Sequence, residues 1–269
     1  MLTIREYRKV QSLEEAYELN QKKLNRIIGG MLWLKMQKGN VGIAIDLSGL
    51  DLDKIEESDS EFTIGAMTSL RNLEVHAGLN DYTNGAMHEA MRHIVGVQFR
   101  NLATVGGSIY GRYGFSDVLT IFMALNAEVE LYKAGRVSIA DFAKMPYDND
   151  ILVKIIVKKA NLACAYLTHR QTKTDFPILA VAVAKQKDSW QVAIGATPHR
   201  AVLIKDEKNI LTGEITAEKI KDFSYYVKET VKTDSNSRAS SEYRKHLAQV
   251  LTRRAVNKII EDIAGGSTK

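Results

Sequence analysis

The sequence predicts an α+β protein, and three observations predict it. Strand, helix and strand alternate within the first 47 residues. Four strand-like runs follow one another from Ile151 to Gly195. The chain then closes on two long helical segments, Ala217 to Thr230 and Ser241 to Ala264. Strands followed by helices on one sheet are the α+β pattern, and early alternation indicates a small α/β unit.

Each element has a local cause. Ser12-Leu13-Glu14-Glu15 is a capping box, which satisfies the exposed amides at a helix start. Leu13, Ala16, Tyr17 and Leu24 follow at helical spacing, so a helix is expected from about Leu13 to Leu24. Arg26 to Ile28 reads as a short strand entering Gly29-Gly30, and Met31 to Met36 as a short helix ended by Gly39-Asn40. Val41 to Leu47 is the next strand, with parallel pairing expected. The acidic stretch Asp51 to Glu61 marks a subdomain boundary.

Beyond it, Phe62 to Met67 is a strand, and Thr68 or Ser69 caps a helix through His76. Thr83 or Asn84 opens a helix over Ala86 to Ile94, and Ser116-Asp117 opens another over Val118 to Leu125. Ala127 to Tyr132 alternates with period two, as a half-buried strand does. After the turn Asp148-Asn149-Asp150 come the strands Ile151 to Val157, Leu162 to Thr168, Ile178 to Ala184 and Trp190 to Gly195.

Composition narrows the function classes. With 269 residues, 45% of them apolar and 26% charged, the chain is long enough for two domains and a sizeable core. No apolar run approaches the roughly 20 residues that span a bilayer, and Met1 to Tyr7 lacks a signal-peptide layout, so a cytoplasmic protein without membrane contact is expected. The net charge of +5 is spread among acidic residues, and no nucleic-acid partner is expected. The densest basic stretch, Arg238 to Arg254, reads as one solvated or partner-facing helix face. The single cysteine, Cys164, excludes an internal disulfide and a cysteine-ligated iron–sulfur cluster, and it reads as a buried inert thiol. The six histidines are scattered, and His88 and His93 lie five apart, so no metal site is expected.

Two diglycines carry the functional reading. The first is Ile27-Ile28-Gly29-Gly30; the second is Ala103-Thr104-Val105-Gly106-Gly107-Ser108-Ile109. Each is expected to follow a buried strand and to leave the main chain open to a ligand. Brought together by folding, two such turns hold a diphosphate on backbone N–H donors, and FAD is the dinucleotide expected. There is no G-x-G-x-x-G fingerprint. Thr104 and Ser108 are candidate side-chain donors. Asp117 is a candidate acceptor for ribose hydroxyls, or alternatively a helix cap beside Ser116. Tyr110 and Tyr113 either shield a flavin or sit in a solvent-facing loop, and the Trp33 side chain is expected in the core.

An ordered set of motifs extends this reading. Arg100 to Asp117 holds an arginine-asparagine pair, the Thr104-Val105-Gly106-Gly107-Ser108-Ile109 loop and a serine-aspartate helix start. Upstream lie Ile28-Gly29-Gly30-Met31-Leu32-Trp33, Ala44-Ile45-Asp46-Leu47-Ser48 and Thr63-Ile64-Gly65-Ala66-Met67-Thr68. Downstream lies Arg238 to Leu247, ending at Arg253-Arg254-Ala255. Nearly the whole chain thereby resembles the FAD-binding medium subunit of the molybdenum hydroxylases, the xanthine dehydrogenase and carbon monoxide dehydrogenase flavoprotein family.

The resemblance implies a two-lobed FAD-binding domain over residues 1–158, with lobes of about 1–55 and 56–158, and a C-terminal domain of antiparallel sheet then helices over 159–269. It implies that Ile27, Ile28, Gly29, Gly30, Met31, Leu32, Trp33, Thr104, Val105, Gly106, Gly107 and Ser108 line FAD. It places Asp117 on the ribose side, Leu152 beside the isoalloxazine and Ile94 near a position where some members stack an aromatic ring on the flavin. It implies an oxidoreductase subunit with no acid–base catalyst of its own. Electrons would come from 2Fe-2S clusters on an iron–sulfur partner and from a molybdopterin-binding large subunit, and pass through FAD to NAD+ or another acceptor. Two alternatives remain open: a structural subunit that has lost flavin, and a stand-alone flavin oxidoreductase.

Departures from the family pattern are local. Met31-Leu32 stands where the family has threonine-aspartate, Ser108 where it has asparagine, and Thr168 where many members carry a basic residue. Each removes a polar contact worth about 1 kcal/mol, while backbone donors survive all of them. FAD binding is expected, weaker than in typical members.

Overall fold

The computed structural model describes residues 1–187 and 189–266. Asp188 and the last three residues of the expected C-terminal domain lie outside them. The fold is α+β, as the sequence predicts, and is built on three sheets among the described residues.

The first lobe is a three-stranded parallel sheet in the order β1-β3-β2. It comprises β1 (Leu2–Lys9), α1 (Leu13–Asn20), β2 (Arg26–Ile28), a single 3-10 turn (Leu34–Met36) and β3 (Gly39–Asp46). The sequence reading missed β1, whose residues are nearly all exposed and carry no apolar run. The Ser12 half of the capping box forms, its hydroxyl accepting from Glu15 N–H at 3.1 Å, while Glu15 reaches one residue further back and accepts from Gln11 N–H at 2.9 Å. The helix stops at Asn20 rather than Leu24, because Asn25 turns back to donate to the Leu19 carbonyl at 2.8 Å.

The second lobe is a five-stranded antiparallel sheet in the order β4-β5-β8-β6-β7. Its strands are β4 (Ile55–Glu57), β5 (Glu61–Gly65), β6 (Glu128–Leu131), β7 (Gly135–Ser138) and β8 (Leu152–Lys158). Six helices join β5 to β6: α2 (Leu70–Val75), α3 (Ala77–Tyr82), α4 (Ala86–Met91), α5 (Val97–Leu102), α6 (Val105–Tyr110) and α7 (Asp117–Ala124). A short α8 (Ile139–Phe142) follows β7. The second diglycine therefore does not follow a strand. Gly106 and Gly107 lie in the first turn of α6, capped by Thr104, a correction to the expected strand-and-turn.

The C-terminal sheet is an antiparallel meander of β9 (Leu162–His169), β10 (Leu179–Gln186), β11 (Ser189–Gly195) and β12 (Val202–Lys205). Its two faces differ in grain. Ala180, Ala182, Ala184 and Ala193 face the core shared with α7, all eight of whose residues are buried. Leu179, Val181, Val183, Val192 and Ile194 face α9 (Ala217–Thr230) and α10 (Ser241–Gly266). The alternation is the period-two placement of side chains on a strand. Small residues let α7 approach closely: a Cβ on Gly195 would lie 2.2 Å from Thr120 Oγ1.

Two further expectations are corrected here. Arg238 to Arg254 is not one solvated face, because Arg244 is buried. Its guanidinium donates to the carbonyls of Ile178, Ala196, Asp234 and Ala239 and to Asn236 Oδ1, at 2.7–3.1 Å. Trp33 is not in the core; it is 38% exposed. Cys164 is buried as expected, and burial pushes its thiol up to about 12. Among the described residues no helix is long and apolar enough to cross a membrane, and no group of three His, Cys, Asp or Glu converges as metal ligands.

Candidate functional site

A cleft of about 760 Å³ runs between the three units. Ligand pockets span roughly 300–1,000 Å³, so it has room for a large cofactor. Its walls come from the segment after β2, from α6 and the start of α7, from the start of β8, and from the loop after β9.

The two diglycines meet in this cleft, as the sequence predicts, but their roles differ from expectation. A Cβ on Gly30 would lie 1.9 Å from the Leu102 carbonyl oxygen, and one on Gly29 would lie 2.6 Å from Thr104 Oγ1. Neither glycine has a positive φ. The bare backbone at 29–30 is required by the neighbouring protein segment. Likewise a Cβ on Gly106 would lie 2.7 Å from the Ala66 carbonyl oxygen.

The free backbone donors belong to the first segment. Among the described residues, no protein acceptor takes the N–H groups of Gly29, Gly30, Met31, Leu32, Trp33 or Leu34. All six residues line the cleft. The turn is held by Met31, whose φ of 58° lies in the left-handed region. A row of successive amides in such a turn makes an anion-binding concavity.

The second segment has already spent its amides. Val105 N–H donates to the Thr68 carbonyl at 2.9 Å, Gly106 N–H to the Ala66 carbonyl at 2.8 Å and Gly107 N–H to Thr104 Oγ1 at 3.2 Å. Ser108 Oγ donates to the Thr104 carbonyl at 2.9 Å. Thr104 and Ser108 thus work as a cap and a helix tie. Val105 is fully buried in the core and does not line the cleft.

The other predicted residues divide between two regions of the wall. Ile27, Ile28, Ile94 and Leu152 line it, together with Met67, Leu70 and Phe99. The Ile94 carbonyl is fixed by Arg100, which donates to it at 3.1 Å and pairs with Glu74 at 2.7 Å. Burial alone would raise the Glu74 carboxyl. Arg100 and Arg71 outweigh it and hold the group below the usual carboxylate range.

Asp117 lines the cleft but is committed within the protein. Its carboxylate accepts from the Tyr166 hydroxyl at 2.6 Å and pairs with Arg170 at 2.5 Å. Burial pushes its carboxyl upward against the pull of Arg170 and Tyr166. Ser116, not Asp117, caps α7 by accepting from Leu119 N–H at 3.0 Å. His93, also in the wall, is held below its ordinary range by burial and by Arg92, which favours the neutral ring.

Sequence reasoning missed Arg170, Phe115 and Phe176, all of which line the cleft. One signal was present for Arg170. It lies two residues past Thr168, where many family members carry a basic residue, just beyond the end of β9. Its Nε donates to Thr168 Oγ1 at 3.2 Å. Tyr113, left open above, lines the cleft and stacks on Phe115 at 5.2 Å. Tyr110 lines it too, with its hydroxyl bound to the Asp148 carbonyl at 2.7 Å.

The residues fit a flavin dinucleotide: a row of unpaired amides, a long cleft, and apolar and aromatic walls. Comparison with known proteins agrees. Residues 3–160 match the family described as FAD binding domain in molybdopterin dehydrogenase, and residues 165–259 match the CO dehydrogenase flavoprotein C-terminal domain. The chain is 26% identical over 279 residues to the glyceraldehyde dehydrogenase medium chain of Sulfolobus acidocaldarius, covering 94% of this chain and 97% of that one. It is 24% identical over 275 residues to the nicotine 6-hydroxylase medium subunit of Paenarthrobacter nicotinovorans, covering 93% and 95%. The fold superposes with a TM-score of 0.82 on carbon monoxide dehydrogenase from Hydrogenophaga pseudoflava, at 22% identity over 94% of this chain and 96% of that one. The chain belongs to the FAD-binding medium-subunit family of the molybdenum hydroxylases, as an oxidoreductase subunit whose cofactor is FAD.

Proposed function

We propose that the chain is the electron-transfer subunit of a multi-subunit molybdenum hydroxylase. It takes electrons from 2Fe-2S clusters on an iron–sulfur partner, themselves reduced by a molybdopterin-binding large subunit, and passes them to NAD+ or another acceptor. The observation that carries this reading is the row of unpaired N–H groups from Gly29 to Leu34 along the cleft. Bound FAD supplies the redox chemistry, exchanging electrons singly or in pairs.

The protein's own residues bind and orient. The Gly29 to Leu34 amides hold the diphosphate, Ile94 and Leu152 with their neighbours shed water from a ring, and the Asp117–Arg170 pair fixes the polar wall. With one cysteine the chain holds no cluster, so the electrons must arrive from another subunit.

The test is co-expression with candidate iron–sulfur and molybdopterin subunits of the same genome. A stable complex carrying stoichiometric FAD, with flavin reduced on addition of the complex's substrate, supports the reading. A complex whose flavin stays oxidised while the clusters are reduced refutes it. The apolar Met31 and Leu32 beside the cradle favour one second reading, a subunit that keeps the fold without flavin. A stable complex lacking flavin absorbance, not restored by added FAD, selects that one.

A further inference from the structure

Resting on the reading of the cleft as an FAD site, we propose that the Trp33 indole stacks on the isoalloxazine of FAD. Trp33 closes the row of free amides but one, and its ring lines the cleft while remaining 38% exposed. Tryptophan is a residue that folded proteins bury on average.

The ring is held in place by aromatic side chains from two other parts of the chain. Phe176 lies 5.9 Å away at an interplanar angle of 24°, Phe115 lies 6.0 Å away and Tyr113 lies 6.4 Å away. Phe176 is pinned in turn by the Asp175–Arg238 pair at 2.8 Å, with the Arg238 guanidinium 5.1 Å from its ring. A side chain ordered in advance loses little entropy on binding, so the contact it makes is realised as affinity.

Chemistry selects which ring of FAD it meets. Oxidised isoalloxazine is a planar, electron-poor tricycle with N–H and carbonyl groups along one edge. Indole is the most electron-rich side chain, and Arg170, which donates to the Asp175 carbonyl beside Phe176, lines the same cleft. This reverses what the resemblance implies for Ile94 and Leu152: their aliphatic wall takes the smaller, electron-rich adenine.

The experiment measures FAD and FMN binding, and the emission of the bound flavin, in wild type, Trp33→Leu and Trp33→Phe. Trp190 is buried, so it does not report on the cleft. Stacking on indole quenches flavin emission by electron transfer. The expected result is a dark wild-type complex, a Trp33→Leu complex several-fold brighter, and FAD and FMN affinities both lowered about five- to tenfold in Trp33→Leu. Trp33→Phe, which preserves packing, is expected to keep affinity within about twofold while also brightening. The proposal is overturned if wild type binds FAD and both variants match it in affinity and emission. It is also overturned if Trp33→Leu weakens FAD but leaves FMN binding and emission unchanged, which places adenine on the indole. Absence of FAD uptake by wild type refutes the cleft reading itself, and this proposal with it.

Discussion

Gly30 and Leu102 form a backbone seam: a Cβ on Gly30 would lie 1.9 Å from the Leu102 carbonyl oxygen. The obstructing atom is main chain, so no rotamer change relieves it. The seam joins the segment after β2 to the end of α5 beside the cleft. Glycine is needed here for contact between lobes, independently of any ligand.

Gly30→Ala should therefore damage both stability and binding. Overpacking of this kind costs about 1–3 kcal/mol, read as a lower urea midpoint, and the displaced amide row should weaken FAD binding. Gly107→Ala, whose Cβ would meet only Thr104 Oγ1 at 3.1 Å, should be milder. Equal effects of the two substitutions would argue against the seam.

The buried Asp117–Arg170 pair ties the loop after β9 to the start of α7. Removing one partner of a buried pair typically costs about 3–5 kcal/mol. Asp117→Ala and Arg170→Met should each fall in that range by chemical denaturation. The double variant should lose clearly less than the sum, since neither charge is then stranded. Additive losses would show that the two groups act separately.

Met31 carries left-handed backbone at φ 58°, which costs a residue with a side chain about 1–2 kcal/mol. Asparagine adopts this conformation more readily. Met31→Asn should raise stability by about 0.5–1 kcal/mol and leave FAD affinity undiminished, because the cradle is main chain. A loss of FAD affinity would give the Met31 side chain a role in binding.

Glu74 predicts a pH dependence. Its carboxyl is held below the ordinary value of 4.5 by Arg100 and Arg71 in spite of burial. The folded protein thus binds this proton more weakly than the unfolded chain. The resulting stability is complete above about pH 4.5 and is lost as pH falls through the lowered folded value. Urea midpoints should fall over that window, and Glu74→Gln should flatten the fall while costing about 3 kcal/mol at neutral pH. An unchanged acid slope in the variant would remove Glu74 from the account.

The sequence disclosed motifs better than it disclosed their work. Gly29-Gly30 and Gly106-Gly107 were visible, and so was their meeting. Which of them keeps free amides was not, because Val105 and Gly106 lose theirs to Thr68 and Ala66, far away in sequence. Asp117 was visible as a polar residue beside a cleft, while its partners Tyr166 and Arg170 lie on another sheet. Strand β1 was invisible because an exposed strand carries little periodicity. Trp33 was placed in the core because aromatic residues beside apolar ones usually are; its neighbours Phe115 and Phe176 arrive from other segments.

Strand β10 places alanine on one face and leucine or valine on the other at successive positions. A slip of one residue in its pairing would exchange the faces completely. Bulky side chains would then press on α7 and lift its first turn, carrying Asp117 out of reach of Arg170. The simple alternation along β10 is thus a ruler: it sets the depth at which α7 lies, and with it the place of Asp117 in the cleft wall.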